Sequence, residues 1–166
     1  MKCLVFSDSH NETYLIKKAI SSHPDAEVIF FLGDGLSDIE EIYLSFPGRK
    51  ILAVKGNCDF RSFVMNEFIE KTAVIDLLGK KIVYTHGDLY GVKYGMAGLE
   101  RLAKETFADV ILFGHTHTPV LEYFSSNDIK PFYVFNPGSI GSREGSFGIM
   151  DLYEGKEPLF SHGNFL

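Results

Sequence analysis

Seven residues of this 166-residue chain are oxygen or nitrogen donors of the kind that bind divalent metal ions, and each follows an apolar, strand-like run. Carboxylate, imidazole and amide groups suit manganese, iron, cobalt, nickel or zinc, and none of the seven is a thiolate that would favour a structural zinc site. Their spacing predicts a metal site assembled from five separate loops. The segments are Asp8-Ser9-His10, Gly33-Asp34, Gly56-Asn57, Thr85-His86-Gly87 and Gly114-His115-Thr116-His117.

Each segment taken alone also has a purely structural interpretation. Asp8 is suited to capping a following helix, and Gly56-Asn57 to forming a turn. His86 alone is more typical of a hydrogen-bonded core histidine. The pair His115 and His117 is harder to explain in this way, because two histidines at i and i+2 after a buried strand can address two neighbouring points. The metal interpretation therefore rests on the joint arrangement.

Alternating strands and helices position these loops in the first half of the chain. Apolar runs predict strands at Lys2 to Phe6, Glu27 to Leu32 and Lys50 to Lys55. Helical periodicity predicts helices at about Glu12 to Ser22 and Ser37 to Ser45, the second with Ser37 as N-cap and Glu40 completing a capping box. A β-α-β-α-β series predicts a right-handed, mostly parallel sheet. The loops beyond the carboxyl ends of such strands form the ligand crevice.

The second half of the chain has a different pattern. A hairpin is predicted around Gly79-Lys80, followed by a helix at about Gly95 to Phe107 and a buried strand at Val110 to Phe113. Three alternating segments, near Val120 to Phe124, Phe132 to Phe135 and Phe147 to Tyr153, are typical of antiparallel strands. We therefore expect an α/β fold with two stacked sheets and helices outside.

Composition excludes several functional classes. The chain is 45% hydrophobic and 23% charged, which is typical of one globular domain, here residues 1–166. We expect no membrane helix and no export signal, and the unpaired cysteines Cys3 and Cys58 indicate a reducing cytoplasm. The net charge of -6 disfavours a nucleic-acid partner. Exposed members of the 15 Phe and 8 Tyr residues would support a homodimer.

Taken in order, the motifs resemble the signature of calcineurin-like metallophosphoesterases, and the Asn136-Pro137-Gly138-Ser139 loop is similar to that of their short bacterial and archaeal phosphodiesterase branch. The resemblance implies a two-sheet α/β/β/α sandwich with mixed sheets and flanking helices. It implies hydrolysis of small-molecule phosphate esters by attack of a metal-bridging hydroxide. It also implies two divalent ions, manganese first and zinc, nickel, iron or cobalt as alternatives: Asp8, His10 and His117 bind one, Asn57, His86 and His115 the other, and Asp34 bridges them.

The resemblance further assigns catalytic roles to Asn57, Cys58, Asp59 and His86, with Asn57 and His86 contacting the substrate. In much of the superfamily a histidine follows the asparagine and protonates the leaving alkoxide, whereas this chain has Cys58. A thiol beside a dication tends towards thiolate, which cannot donate a proton. We therefore expect phosphodiesters with good leaving groups to be preferred. A gap-filling role for Cys58 stays open.

Two alternative functions remain: a phosphomonoesterase acting on small metabolites, and a catalytically weak interaction module of the same fold. A nuclease would need a basic groove, which the sequence lacks. Among the remaining polar residues, Asp59 is expected to orient a metal ligand from behind. Asp38 and Asn11 are expected to cap helices, and weaker substrate-contact candidates are Arg61, Ser139 and Arg143.

Overall fold

The computed structural model describes residues 1–59 and 69–165, which form two five-stranded sheets. Arg61, a candidate substrate contact, lies outside the described residues. Strands alternate with helices up to β3 and again between β5 and β6, as the apolar runs predicted. The elements are β1 (Lys2–Phe6), α1 (Thr13–Ser22), β2 (Ala26–Phe31), α2 (Leu36–Ser45), β3 (Lys50–Ala53), β4 (Thr72–Leu77), β5 (Lys80–Thr85), a short 3-10 helix (Asp88–Tyr90), α3 (Ala97–Thr106), β6 (Val110–Leu112), β7 (Pro119–Ser126), β8 (Ile129–Pro137), β9 (Ser146–Asp151) and β10 (Leu159–Asn164).

The first sheet has the strand order β10-β9-β1-β2-β3. Strands β1, β2 and β3 are parallel, so their carboxyl ends lie at one edge of the sheet. Strand β9 pairs antiparallel with β1, as expected, and β10 pairs antiparallel with β9. No strand was predicted at β10, because this edge strand is largely exposed and lacks the apolar alternation of a half-buried strand.

The second sheet has the strand order β4-β5-β6-β8-β7. The predicted hairpin is β4 and β5, and β7 pairs antiparallel with β8. The antiparallel pairing expected of β8 is present with β7 only, because β8 lies between β7 and β6 and is parallel to β6. Strands β5 and β6 are also parallel, so their carboxyl ends deliver two more loops to a common edge.

Three apolar layers hold the sheets and helices together, which confirms the α/β/β/α sandwich. Alternate residues of β1 illustrate the division: Cys3 and Val5 face the second sheet, whereas Leu4 and Phe6 face α1 and α2. Helix α3 packs on the outer face of the second sheet through residues such as Leu99. All five side chains are fully buried. Within the described residues, no helix has the length and apolar character needed to cross a membrane.

Candidate metal centre

The five loops that carry the predicted ligands meet because glycine backbones let them approach. A β-carbon at Gly56 would overlap the carboxylate of Asp34, and one at Gly114 would overlap the Ser7 hydroxyl and come within 3.0 Å of Asp8 Oδ2. Backbone hydrogen bonds join the loops as well, from Asp8 N to Gly33 O (2.9 Å) and from Gly114 N to the carbonyl of His86 (3.0 Å). The convergence predicted from strand ends is therefore present.

Asp8, His10 and His117 form a first ligand group, in which the donor atoms all lie within 4.8 Å of one another. The His117 Nε2 atom is 3.1 Å from Asp8 Oδ1. Asp8 is fully buried, whereas His10 and His117 are exposed to solvent. Asp8 is thus the buried member of this group, and the imidazoles of His10 and His117 form its solvent-exposed part.

Asp34, His86 and His115 form a second ligand group with the same spacing. The Nε2 atom of His86 lies at its centre, 3.3 Å from Asp34 Oδ2, 3.1 Å from His115 Nδ1 and 3.1 Å from Asn57 Oδ1. The same nitrogen is 4.0 Å from Asp8 Oδ1, which links the two groups. The structure therefore brings all seven predicted residues into one continuous site.

The donor atoms of this site fit divalent cations. Asp8 Oδ1 is completely buried, yet no described residue donates a hydrogen bond to it. His86 Nδ1 lies 2.7 Å from the Leu32 carbonyl, so its N–H donates there and the Nε2 lone pair faces the site. That lone pair then faces the acceptor atoms of Asn57 and Asp34, a mutually repulsive arrangement that a cation or a proton must relieve.

In the metal-free protein, the close approach of His86 and Asp34 favours a proton shared by these two residues. Burial alone would lower the pKa of His86, but the hydrogen bond to Asp34 and the charges of Asp8 and Asp34 outweigh it and raise that pKa. Burial would likewise raise the pKa of Asp34, but its hydrogen bonds with His86 and the Cys58 N–H hold it well below its usual range. A metal ion would compete with a proton at this position, so metal binding would be coupled to proton release.

Five of the seven predicted ligands have a left-handed backbone, which L-residues rarely adopt. Their φ angles lie between 47° and 65°. Such strain costs on the order of 1 kcal/mol or more per residue and persists only where the surroundings enforce it. Its concentration at these loops is evidence that the loop geometry serves a site. The five residues are Asp8, His10, Asp34, His115 and His117.

Asp59 fixes the bridging loop through four backbone hydrogen bonds. Its Oδ1 accepts from the N–H groups of Gly35 (2.8 Å) and Leu36 (2.9 Å), and its Oδ2 accepts from those of Asp34 (2.8 Å) and Gly56 (2.8 Å). Both oxygens are thus directed at the backbone, so Asp59 positions Asp34 rather than acting on a substrate. This agrees with the expectation that Asp59 orients a metal ligand, and it argues against direct participation of Asp59 in catalysis.

Asp59 also corrects the predicted start of α2. The helix begins at Leu36 with Gly35 as its N-cap, so the expected capping box at Ser37 is absent from this helix start. The free N–H groups of Gly35 and Leu36 are satisfied instead by a carboxylate from the loop after β3. An anionic group at a helix N-terminus is favourable, and here it comes from a distant part of the sequence.

Asp38 was expected to cap α2 but holds the loop of the first ligand group. Its carboxylate accepts hydrogen bonds from Ser9 Oγ (2.5 Å), the Asn11 N–H (3.1 Å) and Thr13 Oγ1 (3.0 Å). These donors lie on both sides of His10, so Asp38 stabilises its left-handed backbone. The Asn11 side chain does not cap α1, because the N-cap of α1 is Glu12.

The end of β8 and the loop after it support two ligand loops through side-chain hydrogen bonds. The Asn136 side chain donates to Gly114 O (3.0 Å) and Thr116 Oγ1 (3.0 Å), while Ser139 Oγ donates to Asp8 O (2.8 Å). Ser139 is 1% exposed, so its expected contact with a substrate was wrong. The motif had indicated this loop, but its supporting role depends on pairs of residues at least 20 positions apart in the sequence.

Cys58 lies at the mouth of the site. Its backbone N–H donates to Asp34 Oδ1 (2.7 Å), and its exposed thiol lies 3.2 Å from Asn57 Nδ2. Burial and the hydrogen bond with Asp34 raise the pKa of the thiol in the metal-free protein. An exposed thiol fills no internal gap, which argues against the packing alternative. Arg143 is exposed.

Comparisons with known proteins agree with this geometry. A family model described as "Calcineurin-like phosphoesterase superfamily domain" matches residues 1–155. The chain is 32% identical to a probable metallophosphoesterase, YsnB, of Bacillus subtilis over 84% of this chain and 75% of that protein. It is 28% identical to the phosphodiesterase YfcE of Escherichia coli over 91% and 88%. A solved structure described as a novel archaeal phosphodiesterase superposes with a TM-score of 0.78 at 25% identity, covering 99% of this chain and 100% of that one.

Proposed function

Since the chain belongs to the calcineurin-like phosphoesterase superfamily, we propose that it hydrolyses small phosphodiesters with the help of two divalent cations. Asp8, His10 and His117 would hold one cation, Asn57, His86 and His115 the other, and Asp34 both. The observation that carries this proposal is the position of His86 Nε2. It lies in the second ligand group, 3.3 Å from Asp34, and is also 4.0 Å from Asp8 of the first group.

Two divalent ions about 3.5–4 Å apart supply a nucleophile at neutral pH by lowering the pKa of bound water, and they neutralise charge on the phosphoryl oxygens. The side chains of the site prepare for this chemistry. His86 is held in one tautomer by the Leu32 carbonyl, which keeps Nε2 available as a ligand. Asp34 is fixed by Asp59 and by the Cys58 N–H, so its position is set before substrate arrives.

The charge balance explains how an acidic protein binds an anion. The two carboxylates of the site, Asp8 and Asp34, offset two of the four positive charges brought by the cations. About two positive charges remain to attract a phosphate ester.

The preference for diesters rests on Cys58. No imidazole occupies this position, and a thiol next to two cations is a poor proton donor to an alkoxide. Esters that leave as stabilised phenolates need no such donor. We infer that aryl and strained cyclic phosphodiesters are cleaved faster than alkyl phosphomonoesters. The relatives named as phosphodiesterases support this choice.

The test compares bis(p-nitrophenyl) phosphate, p-nitrophenyl phosphate and an alkyl monoester, each with Mn²⁺ and after chelation. We expect turnover of the diester to require the metal and to fall at least 100-fold in Asp34→Asn and His86→Ala, the range seen when a charge-stabilising group is removed from an active site. Activity indifferent to metal and to both substitutions would contradict the proposal, and diester turnover no higher than background with Mn²⁺ would support a catalytically weak interaction module. Faster cleavage of the alkyl monoester would support a phosphomonoesterase.

Several finer assignments belong to the same proposal. Manganese is proposed as the working metal because a mixed oxygen and imidazole donor set suits it, with zinc, nickel, iron and cobalt as alternatives. One domain over residues 1–166, a cytoplasmic location and a homodimer also stay predictions. Metal analysis of the purified protein and light scattering check the metal and the dimer directly.

A further inference from the structure

Ser7 is a fully buried serine that lies directly after β1 and directly before the predicted ligand Asp8. Its hydroxyl donates a hydrogen bond to Asp8 Oδ2 at 2.5 Å. Hydroxyl groups that donate to a charged oxygen form short hydrogen bonds, and these are stronger than bonds between neutral groups. Ser7 is thus in direct contact with a candidate metal ligand, although it belongs to neither ligand group.

The surroundings of Ser7 fix the position of its hydroxyl. The Ser7 carbonyl accepts a hydrogen bond from the Ile140 N–H at 3.1 Å. On the side of the second sheet, a β-carbon added at Gly114 would lie 1.9 Å from Ser7 Oγ and 2.8 Å from Ser7 Cβ. The hydroxyl therefore occupies space that the glycine leaves open. It is held between the backbone at Gly114 and the carboxylate of Asp8.

The same oxygen of Asp8 has a second donor, which comes from another loop. The backbone N–H of His115 donates to Asp8 Oδ2 at 3.0 Å. His115 is a member of the second ligand group, so a carboxylate of the first group is tied to the loop that carries a ligand of the second. Two hydrogen bonds from different directions restrain the rotation of the carboxylate more than either bond would alone.

The other oxygen of Asp8, Oδ1, is buried, and no described residue donates a hydrogen bond to it. It faces the first ligand group, where His117 Nε2 approaches it to 3.1 Å. The carboxylates of Asp38 and Asp59 differ from that of Asp8, because each accepts hydrogen bonds at both of its oxygens. The donors around Asp8 are therefore distributed unequally between its two oxygens.

A buried serine needs an acceptor for its hydroxyl, and this need alone would explain a hydrogen bond to a neighbouring carboxylate. It does not explain why both donors reach the same oxygen. A buried acceptor without a donor destabilises the folded protein, so a carboxylate that served only the fold would be expected to have donors at each oxygen. The arrangement at Asp8 instead leaves Oδ1 available to a cation.

On the basis of the two-cation function proposed above, we propose that Ser7 is a positioning residue that orients Asp8 for binding of the first cation through Oδ1. The Ser7 hydroxyl and the His115 N–H occupy Oδ2 and hold the carboxylate in one orientation. Ser7 itself contacts neither the cation nor the substrate, and its effect reaches the site through Asp8.

The test measures Mn²⁺ binding to the metal-free protein by calorimetry, without substrate. Ser7→Ala removes the hydroxyl and leaves the His115 N–H as a donor to Asp8 Oδ2. We expect the affinity of the first ligand group to fall about 10-fold, as when a group that orients a metal ligand is lost, while the affinity of the second is unchanged. His10→Ala, which removes a ligand of the first group, identifies the dissociation constant that belongs to that group.

The ratio of the two dissociation constants separates positioning from general stability, because a loss of stability would weaken both sites. Ser142→Ala is the matched control, since the Ser142 hydroxyl donates to the Ser139 carbonyl (2.9 Å) rather than to a predicted ligand. This control should bind both cations as the unmodified protein does. Ser7→Thr and Ser7→Val form a second pair of similar shape that differs by the hydroxyl. The first ligand group should bind Mn²⁺ more weakly in Ser7→Val than in Ser7→Thr.

Any of four results would overturn the role of Ser7. These are an unchanged first affinity in Ser7→Ala, an equal loss of both affinities in Ser7→Ala, the same shift of the ratio in Ser142→Ala, and equal first affinities in Ser7→Thr and Ser7→Val. Hydrolysis of bis(p-nitrophenyl) phosphate by the unmodified protein is measured in parallel. If it is absent while two cations bind and Ser7→Ala shifts the ratio, the phosphodiesterase function fails and the role of Ser7 stands. An unmodified protein that binds no Mn²⁺ would contradict both.

Discussion

Replacing Asp59 by asparagine should disturb the protein more than the small chemical change suggests. Each carboxylate oxygen of Asp59 accepts hydrogen bonds from two backbone N–H groups. The N–H of Asp34 is one of these four donors. An amide keeps one oxygen and turns an NH₂ group towards the other two donors. Two hydrogen bonds to a charged acceptor are therefore lost and replaced by contacts between donors.

The magnitude follows from these four contacts. A hydrogen bond to a charged group contributes about 1.5–3 kcal/mol, so two of them set an upper limit of about 6 kcal/mol. Asp59 is half-buried, and water can reach part of the vacated space. We therefore expect the free energy of unfolding of the metal-free protein to fall by about 2–4 kcal/mol in Asp59→Asn. Asp59→Ala should cost at least as much, since it removes all four hydrogen bonds.

Urea unfolding of chelated protein measures this change, and Mn²⁺ titration measures its effect on the site. Loss of a group that orients a metal ligand typically weakens metal affinity about 10–100-fold. Asp76→Asn, an exposed change on β4, is the control and should stay within about 0.5 kcal/mol. A variant Asp59→Asn with the stability and both metal affinities of the unmodified protein would refute the positioning role.

Three further outcomes are expected. Asp38→Asn should weaken the first bound cation about 10-fold while sparing the second, measured by calorimetry, because its three hydrogen bonds flank His10 only. The metal-free protein should gain most from the His86–Asp34 pair between about pH 4 and pH 6.5. The raised pKa of His86 stabilises the folded protein below the pKa of histidine in the unfolded chain, and this stabilisation is lost as the pH rises through the folded pKa. The lowered pKa of Asp34 stabilises the folded protein above the pKa of aspartate in the unfolded chain, and this stabilisation is lost as the pH falls through the folded pKa. Thermal melts of chelated protein and of His86→Ala across this range check that window. Adding Mn²⁺ at 100 times its dissociation constant should stabilise the folded protein by about 2.7 kcal/mol for each site that it fills, visible as a higher Tm.

Local patterns were enough to find the strand-end loops and their ligands. An apolar run followed by Gly-Asp or Gly-His marks both the end of a strand and the residue beyond it, so Asp34 and His115 needed no long-range information. The left-handed backbone at these positions was not predicted, because non-glycine residues adopt it uncommonly, although aspartate and histidine do so more often than most. It is enforced by contacts with other loops.

The contacts that hold the site in place were largely beyond the sequence. The carboxylate of Asp59 reaches α2 across more than 20 residues, and Asn136 reaches Gly114 in the same way. The sequence did not predict the parallel pairing of β8 with β6 for a related reason. A hairpin pattern does not show which of its two strands pairs with a third strand of the sheet. Long-range pairing is decided by packing rather than by local propensity.

The most direct test of the whole account is a crystal structure with Mn²⁺, measured at a wavelength where the metal scatters anomalously. The account predicts two peaks about 3.5–4 Å apart, one beside Asp8, His10 and His117 and one beside His86 and His115, with a carboxylate oxygen of Asp34 within bonding distance of both. A single peak, or two peaks that do not share Asp34, would contradict it.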